Sequence, residues 1–181
     1  MPGKHQYFAL LLKVINYFAF YIIWVGCLYA ALHQLSFLFF LIVCAYLVLH
    51  LTFVSERSLA ELFLIASIML IGTANDILLT ELHVVQYTDA LPIGVSWWML
   101  GIWACFGSTY WHAFSWLESR LALSVLLGAL VVPFCYLWGI EAKTVTFLWD
   151  ESSALVLIGI LWAIVLPITF IISHAIKRHA V

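Results

Sequence analysis

Charged side chains are scarce in this chain of 181 residues, of which 9% are charged and 66% are hydrophobic. Soluble domains carry about 25% charged residues, so this chain lacks the polar side chains that would cover a water-exposed surface. The net charge is −2, and no basic stripe or base-stacking module is evident, so nucleic acid is excluded as an expected partner. The low charge indicates instead a protein that is surrounded by the lipid bilayer.

Paired cysteines and local catalytic motifs are also missing. The four cysteines are dispersed within apolar runs and form no Cys-x-x-Cys pair. No Gly-x-Ser-x-Gly elbow, P-loop, dinucleotide fingerprint or His-Glu-x-x-His motif occurs. The sequence therefore leaves the cofactor unknown, and no local motif indicates a metal site.

The chain is dominated by long apolar runs. Each is about 20 residues long, which is enough for a helix to cross a hydrocarbon core of about 30 Å. They predict an all-α, polytopic membrane protein, with a single domain over residues 1–181 that is a bundle of six transmembrane helices. The predicted spans cover residues 8–31, 34–53, 59–80, 93–115, 121–140 and 154–175. No internal repeat is obvious, which lowers the expectation of a transporter built from inverted repeats.

The basic residues predict the orientation of these spans. Six of the 7 lysines and arginines fall on the side of the two termini, and only Lys143 falls on the opposite side. Basic residues are enriched in cytoplasmic loops. We therefore expect both termini to lie in the cytoplasm.

Polar residues within the spans fall at two depths when each helical residue adds 1.5 Å along the membrane normal. An inner layer holds Glu61, His50 and His112, which are the candidate catalytic residues for acid–base or metal chemistry. Asn16 belongs to the same layer. The alternative for His112, which the sequence favours, is a hydrogen-bonded residue in a packing seam, because span four carries small residues at helical spacing.

An outer layer is centred on Asp76. This residue lies one helical turn after Gly72, and therefore on a face of small and polar side chains. Ionisable residues inside spans are functional by default, although an acid near the end of a span is equally explained by packing. The depth count separates Asp76 from His112 by roughly 20 Å, so no direct pair between them is expected. The candidate binding residues are Asp76, Asn75, Tyr136, Trp98 and, from the inner layer, Asn16.

Three segments resemble a family of small bacterial inner-membrane proteins, a domain-of-unknown-function family. They read "NDILL", "LPIGVSWWMLGIWACFGSTYWHAFSWL" and "LLGALVVPFCYLWGIEA". The residues that match the family pattern are Asp76, Pro92, His112, Trp116, Leu117, Gly128, Ala129, Pro133, Tyr136 and Gly139. The chain departs from that pattern at Trp111 and Val132, where the family has asparagine and glycine. The resemblance covers essentially the whole chain, and implies an inner-membrane location and an association with lipid chemistry or lipid handling.

The function predicted from these features is that of an intramembrane enzyme or lipid-handling protein acting on an apolar or lipid substrate. Whether the protein is an enzyme is left open. One alternative is a non-catalytic membrane partner or scaffold of a neighbouring enzyme, and another is a component of a small-solute or proton transporter. Besides the lipid bilayer, a membrane-protein partner or a second copy of the chain is an expected partner.

Overall fold

The computed structural model describes residues 4–179, which form a bundle of six α-helices. The helices are α1 (Lys4–Leu32), α2 (Ser36–Phe53), α3 (Ser58–Glu81), α4 (Trp97–Gly107), α5 (Leu121–Glu141) and α6 (Glu151–His179). The remaining regular elements are two short strands, β1 (Val85–Tyr87) and β2 (Val145–Phe147), and a 3₁₀ turn at Ser115–Leu117. The predicted all-helical bundle is therefore confirmed in its class.

Five of the helices, all except α4, are long and apolar enough to cross a membrane. Their outward faces carry large hydrophobic side chains, and Phe53, for example, is 77% exposed. A soluble protein rarely exposes contiguous apolar patches of this extent. The helices and their apolar surface indicate a membrane protein.

The fourth predicted span, residues 93–115, is wrong as a single helix. The helix in this region begins at Trp97 and ends at Gly107, and turns follow until the 3₁₀ turn. The hydroxyls of Ser108 and Thr109 each donate to the carbonyl three residues earlier, at 2.7 and 2.6 Å. Such local bonds compete with the helical ladder and favour its termination. The other five predicted spans coincide with α1, α2, α3, α5 and α6.

The loops after α3 and α5 pair with each other as a two-stranded antiparallel sheet. In its register Val85 faces Phe147, and Tyr87 faces Val145. Each helix ends at a glutamate, and two residues later the backbone takes a positive φ, which is 55° at His83 and 56° at Lys143. A left-handed residue just past the last turn is a common helix stop. Segments 81–87 and 141–147 thus share a local pattern, glutamate–x–basic or histidine–x–valine–x–aromatic, which sequence analysis alone did not detect.

The helices are arranged as an open bundle around α4. This short helix packs against α1, α2 and α3, while α6 packs against α3 and α5. The α5–α6 contact is close because glycines face backbone on both sides: a Cβ at Gly128 would overlap the Trp162 carbonyl, and one at Gly159 would lie 2.8 Å from the Ala129 carbonyl oxygen. The extensive contacts do not include a pairing of α1 with α5. Residues of both helices line a cavity instead, which leaves a gap between them.

Candidate functional site

A fully buried carboxylate, that of Asp76 on α3, lies near the β-sheet end of the bundle. Its Oδ2 accepts the indole N–H of Trp103 at 2.6 Å. Its Oδ1 accepts the hydroxyls of Tyr87 at 2.9 Å and Tyr136 at 3.1 Å. Three donors from three different elements therefore hold one acid, and we call these four residues the Asp76 cluster.

The sequence builds the Asp76 cluster by leaving space on α3. A Cβ at Gly72, one turn before Asp76, would overlap the Trp103 ring, so the glycine lets the indole lie directly on the helix. Trp103 also stacks on Trp162 of α6, with ring centroids 5.2 Å apart and an interplanar angle of 14°. Stacked aromatic pairs stabilise beyond their buried area. The indole that donates to Asp76 is thus fixed from both sides.

Tyr87 reaches the carboxylate from β1, outside the helices. Burial and the nearby Asp76 carboxylate raise the pKa of Tyr87 well above the ordinary tyrosine value. The hydroxyl therefore keeps its proton and acts as a donor over the physiological pH range. The β1–β2 pairing, in which Tyr87 faces Val145, sets where this hydroxyl lies.

Asp76 also lies at the wall of a cavity of about 460 Å³ between α1, α4, α5 and α6. Ligand pockets typically measure about 300–1,000 Å³. Among the described residues that line it, Asp76 is the only charged one. The rest of the wall is almost entirely apolar, and representative lining residues are Trp24, Ile102, Phe106, Leu127, Val131 and Leu166.

The cavity reaches the outer surface of the bundle through the gap between α1 and α5. Tyr21 of α1 and Val131 of α5 both line it, and Val131 is 49% exposed. Trp24 and Trp138 face each other across the same gap, with ring centroids 6.2 Å apart. The tryptophan pair therefore lies beside the part of the cavity that reaches the outer surface.

One buried donor at the cavity has no partner. The indole nitrogen Nε1 of Trp162 is inaccessible to solvent and makes no hydrogen bond within residues 4–179. Trp162 lines the cavity together with Asp76 and Tyr136. Buried polar groups are nearly always hydrogen-bonded, so this N–H is an exception in the packing around the Tyr136 hydroxyl.

A second polar cluster, His50, Glu61 and His112, lies at the opposite end of α3, and we call it the His–Glu cluster. The Glu61 oxygen Oε1 lies 2.8 Å from Nε2 of His50 and 2.9 Å from Nε2 of His112. The side chains of His50 and Glu61 are 2% and 1% exposed, and that of His112 is 15% exposed. Helix α2, helix α3 and the turn after α4 each supply one member.

Asn16 of α1 fixes the turn that carries His112. Its Nδ2 donates to the Ser108 carbonyl at 3.3 Å, and its Oδ1 accepts the backbone N–H of Ala113 at 3.3 Å. Nδ2 also lies 3.5 Å from the hydroxyl of Tyr46. Because the chain is irregular here, these bonds replace the helical ones that the turn lacks. Asn16 is thus a positioning residue for the His–Glu cluster.

The structure brings together the three residues predicted as an inner layer, and it places Tyr136 on Asp76 as part of the other cluster. Glu61 and Asp76 are 15 residues apart on α3, which separates them by about 22 Å at 1.5 Å per residue. Asp76 and His112 accordingly belong to different clusters, and the roles predicted for these residues remain predictions.

The two other candidate binding residues lie apart from the carboxylate. Trp98 lines the cavity and donates its indole N–H to the Thr88 carbonyl at 2.9 Å. Asn75 is buried on α3, and its Nδ2 has no partner in the described part of the chain. Neither side chain hydrogen-bonds Asp76, although Asn75 is its sequence neighbour.

Sequence analysis missed Tyr87 and Trp103 as members of the Asp76 cluster. Tyr87 was missed because a three-residue strand is too short to show a period, although the alternation in "VVQY" is a weak strand signal. Trp103 was missed because one tryptophan among 9 gives no sign of its partner. Its position one turn from both Met99 and Gly107 was the only available hint that it faces the bundle interior.

The fold and the two clusters define an all-helical membrane protein with an apolar cavity that opens to the side and ends on a buried acid. A family model described as "Protein of unknown function (DUF2878)" matches residues 13–168. The chain belongs to this family, as its resemblance to a domain-of-unknown-function family predicted. No curated protein and no solved structure matches the chain significantly.

Proposed function

We propose that this protein binds the apolar chain of a lipid or lipid-like molecule inside the membrane, in the cavity between α1 and α5. The observation that carries the proposal is an apolar cavity of about 460 Å³ that reaches the lipid-facing surface and ends on a buried carboxylate. A water-soluble substrate would not be retained by such walls, because they offer it few hydrogen bonds. A hydrocarbon chain is retained by these walls, because it buries apolar surface against apolar side chains.

The polar end of the cavity selects the head group of the ligand. A carboxylate has about four acceptor sites, and three donors occupy Asp76, so one site remains. Trp162 offers an unused N–H beside it. A neutral hydroxyl group satisfies both, since it donates to Asp76 and accepts from Trp162. An anionic head group would instead face the Asp76 carboxylate.

Entry into the cavity takes place between α1 and α5, where Trp24 and Trp138 meet. Trp138 is exposed and Trp24 is half-buried, so the outer ring is the one that is free to move aside. Rotation of one aromatic side chain is enough to widen the gap, and exposed rotamers exchange on a nanosecond scale.

A photoreactive fatty alcohol that carries a diazirine and an alkyne tests the proposal in membranes. Val132→Trp, on the cavity wall, is expected to remove most of the labelling because the larger ring occupies the space of the chain. Ile164→Trp is the matched control, since it adds the same ring to an exposed lipid-facing site that does not line the cavity. Equal labelling of both variants would contradict the proposal.

An intramembrane enzyme is the second candidate, and the His–Glu cluster is the observation that favours it. Two imidazoles and a carboxylate within hydrogen-bond distance are able to exchange protons. Untargeted lipid analysis of cells that carry the gene, lack it, or carry Glu61→Gln tests this role. A lipid profile that is the same in all three strains would exclude an enzyme of lipid chemistry.

We further propose that the protein lies in a bacterial inner membrane with six crossings and both termini in the cytoplasm. The bias of basic residues supports this orientation. The segment from Trp97 to the 3₁₀ turn supports the sixth crossing, because Trp97 packs on the start of α2 while His112 lies beside its end. A reporter fused to the C-terminus that is active only outside the cytoplasm should be silent.

A further inference from the structure

We propose that His50, Glu61 and His112 form a binding site for one divalent first-row transition-metal ion, with Zn²⁺ and Fe²⁺ as the ions that suit this ligand set. Nothing in the lipid-binding proposal requires this site. The His–Glu cluster lies about 22 Å along α3 from Asp76, and its members do not line the cavity. A result that contradicts one of the two proposals therefore leaves the other untouched.

The three ligand atoms already converge. The two imidazole nitrogens and the carboxylate oxygen all lie within 4.8 Å of one another. Metal–ligand bonds of about 2.1 Å in tetrahedral geometry would place such atoms about 3.4 Å apart. The present separations of Glu61 Oε1 from the two Nε2 atoms, 2.8 and 2.9 Å, need to widen by only about 0.5 Å at that spacing.

The orientation of the two imidazoles suits metal ligation as well as hydrogen bonding. Their rings lie at 87° to each other with centroids 4.8 Å apart, so they do not stack. Both direct Nε2, and not Nδ1, at the same point beside Glu61. With Glu61 ionised, a purely hydrogen-bonded cluster needs a proton on each Nε2, and both nitrogens then donate to the same carboxylate oxygen. A metal ion would use the lone pairs of both nitrogens and leave each Nδ1 protonated.

The chemistry of the set narrows the class of ion. Two histidines and one carboxylate bind Zn²⁺ in hydrolytic sites and Fe²⁺ in non-haem oxygenases, whereas Mg²⁺ and Ca²⁺ prefer oxygen ligands alone. Three protein ligands also leave one or more positions open, which is typical of catalytic and not of structural sites. His112, the ligand with 15% exposure, is where such a position would be reached from outside.

The local fold is arranged around His112. Helix α4 stops at Gly107, and the following turn carries this histidine to Glu61. Irregular backbone within an apolar segment is costly unless its polar groups are satisfied, and Asn16 satisfies two of them. Broken helices in membrane proteins commonly border ion sites. A packing seam alone would be served equally well by an unbroken helix.

Metal titration of the detergent-purified protein, prepared without a polyhistidine tag, tests the proposal. After removal of metal by a chelator, the protein is dialysed against Zn²⁺, or against Fe²⁺ under anaerobic conditions, and bound metal is measured by mass spectrometry. We expect one ion per chain. Co²⁺ should bind at the same site and give the visible absorption of a low-symmetry complex with nitrogen and oxygen ligands.

Variants locate the ion within the protein. Glu61→Gln keeps a hydrogen-bond acceptor for both histidines but loses the charge. It should lower the affinity at least tenfold, since removing even a second-shell partner of a metal ligand costs about 10–100-fold. His83→Gln is the matched control, because His83 is an exposed histidine outside the His–Glu cluster that hydrogen-bonds the Glu81 carbonyl. It should retain one ion per chain.

Two results would overturn the proposal. One is an unaltered protein that binds no stoichiometric Zn²⁺ or Fe²⁺, and this result needs no variant. The other is a Glu61→Gln protein that binds the ion as tightly as the unaltered one. If Glu61→Gln does not fold, His112→Gln replaces it, since His112 is the least buried ligand. Loss of the ion with a preserved elution profile then supports the site.

Discussion

Replacing Asp76 with leucine removes the shared acceptor of three buried donors, and this makes the Asp76 cluster measurable as a unit. The indole N–H of Trp103 and the hydroxyls of Tyr87 and Tyr136 all lose the carboxylate, and the two hydroxyls, 3.5 Å apart, are left with only each other. An unsatisfied buried donor costs about 1–3 kcal/mol, and the indole and one of the two hydroxyls are left unsatisfied, so the substitution should cost roughly 2–6 kcal/mol before the structure relaxes. Relaxation and the apolar contacts of leucine will reduce that sum.

A more specific test is the coupling free energy of unfolding between Asp76→Leu and Tyr136→Phe, measured in a double-mutant cycle. In the unaltered protein, Tyr136→Phe removes a hydrogen bond to a charged group and should cost about 1.5–3 kcal/mol. In the Asp76→Leu protein one of the two tyrosine hydroxyls is unsatisfied both before and after the same change, which should therefore be close to neutral. We therefore expect a coupling free energy of about 1.5 kcal/mol or more, measured by reversible unfolding in mixed micelles.

Tyr110→Phe is the matched control for this cycle. Tyr110 is also fully buried, but its hydroxyl bonds to Thr169 and shares no partner with Asp76. Its effect should be the same in both backgrounds, within the roughly 0.3–0.5 kcal/mol that independent sites show. If Tyr136→Phe is equally additive, then the carboxylate does not hold the tyrosine, and the description of the Asp76 cluster is wrong.

The remaining predictions concern the supports of the two clusters. Gly72→Ala should destabilise the protein by about 1–3 kcal/mol and alter Trp103 fluorescence, because the new methyl group overlaps the indole; unchanged stability would contradict this packing. Asn16→Ala should raise the rate of amide hydrogen exchange in segment 108–113, since the Ser108 carbonyl and the Ala113 N–H lose their partner. An unchanged rate would contradict the role of Asn16 in fixing this turn. Asp150 accepts the backbone N–H of Ser153 at the start of α6, and this hydrogen bond lowers the pKa of the Asp150 carboxyl in the folded protein. The ionised carboxylate therefore stabilises the fold at pH values above the pKa that it has in the unfolded chain. This contribution should be lost as the pH falls through the pKa of the folded protein. The Asp150→Ala protein should lack that part of the pH dependence.

The membrane class and the vertical order of polar residues were predictable because they depend on quantities that the sequence carries directly. Apolar runs and a rise of 1.5 Å per residue are enough to put Glu61, His50 and His112 at one level and Asp76 at another. Their depth in the membrane does not show that these three side chains also face each other. Facing depends on how the helices rotate and pack, which a single sequence does not show.

The break in α4 could not be predicted for a related reason. Glycine, cysteine and serine recur at helical spacing through this segment, so its pattern is that of a continuous helix. What ends the helix is a set of side-chain bonds, those of Ser108 and Thr109 to nearby carbonyls and those of Asn16 from another helix. Serine and threonine make such bonds inside continuous helices as well, so the residue types alone do not decide.

The pairing of β1 with β2 was missed because each strand has three residues and its partner lies in a distant loop. Its trace in the sequence is the repeated pattern of segments 81–87 and 141–147. That pairing matters for the site, because it brings Tyr87 onto Asp76. Tyr87, which lies outside the helices, thus supplies one of the three donors of the Asp76 cluster.

The measurement that tests the lipid-binding cavity most directly is the position of the cross-link made by the photoreactive fatty alcohol in the unaltered protein. Peptide mapping should place the label on residues that face the cavity from α4, α5 and α6, such as Ile102, Leu127 and Leu166. Labels confined to outward-facing residues such as Leu70 and Ile164 would show that the alcohol only surrounds the bundle, and would contradict a binding cavity.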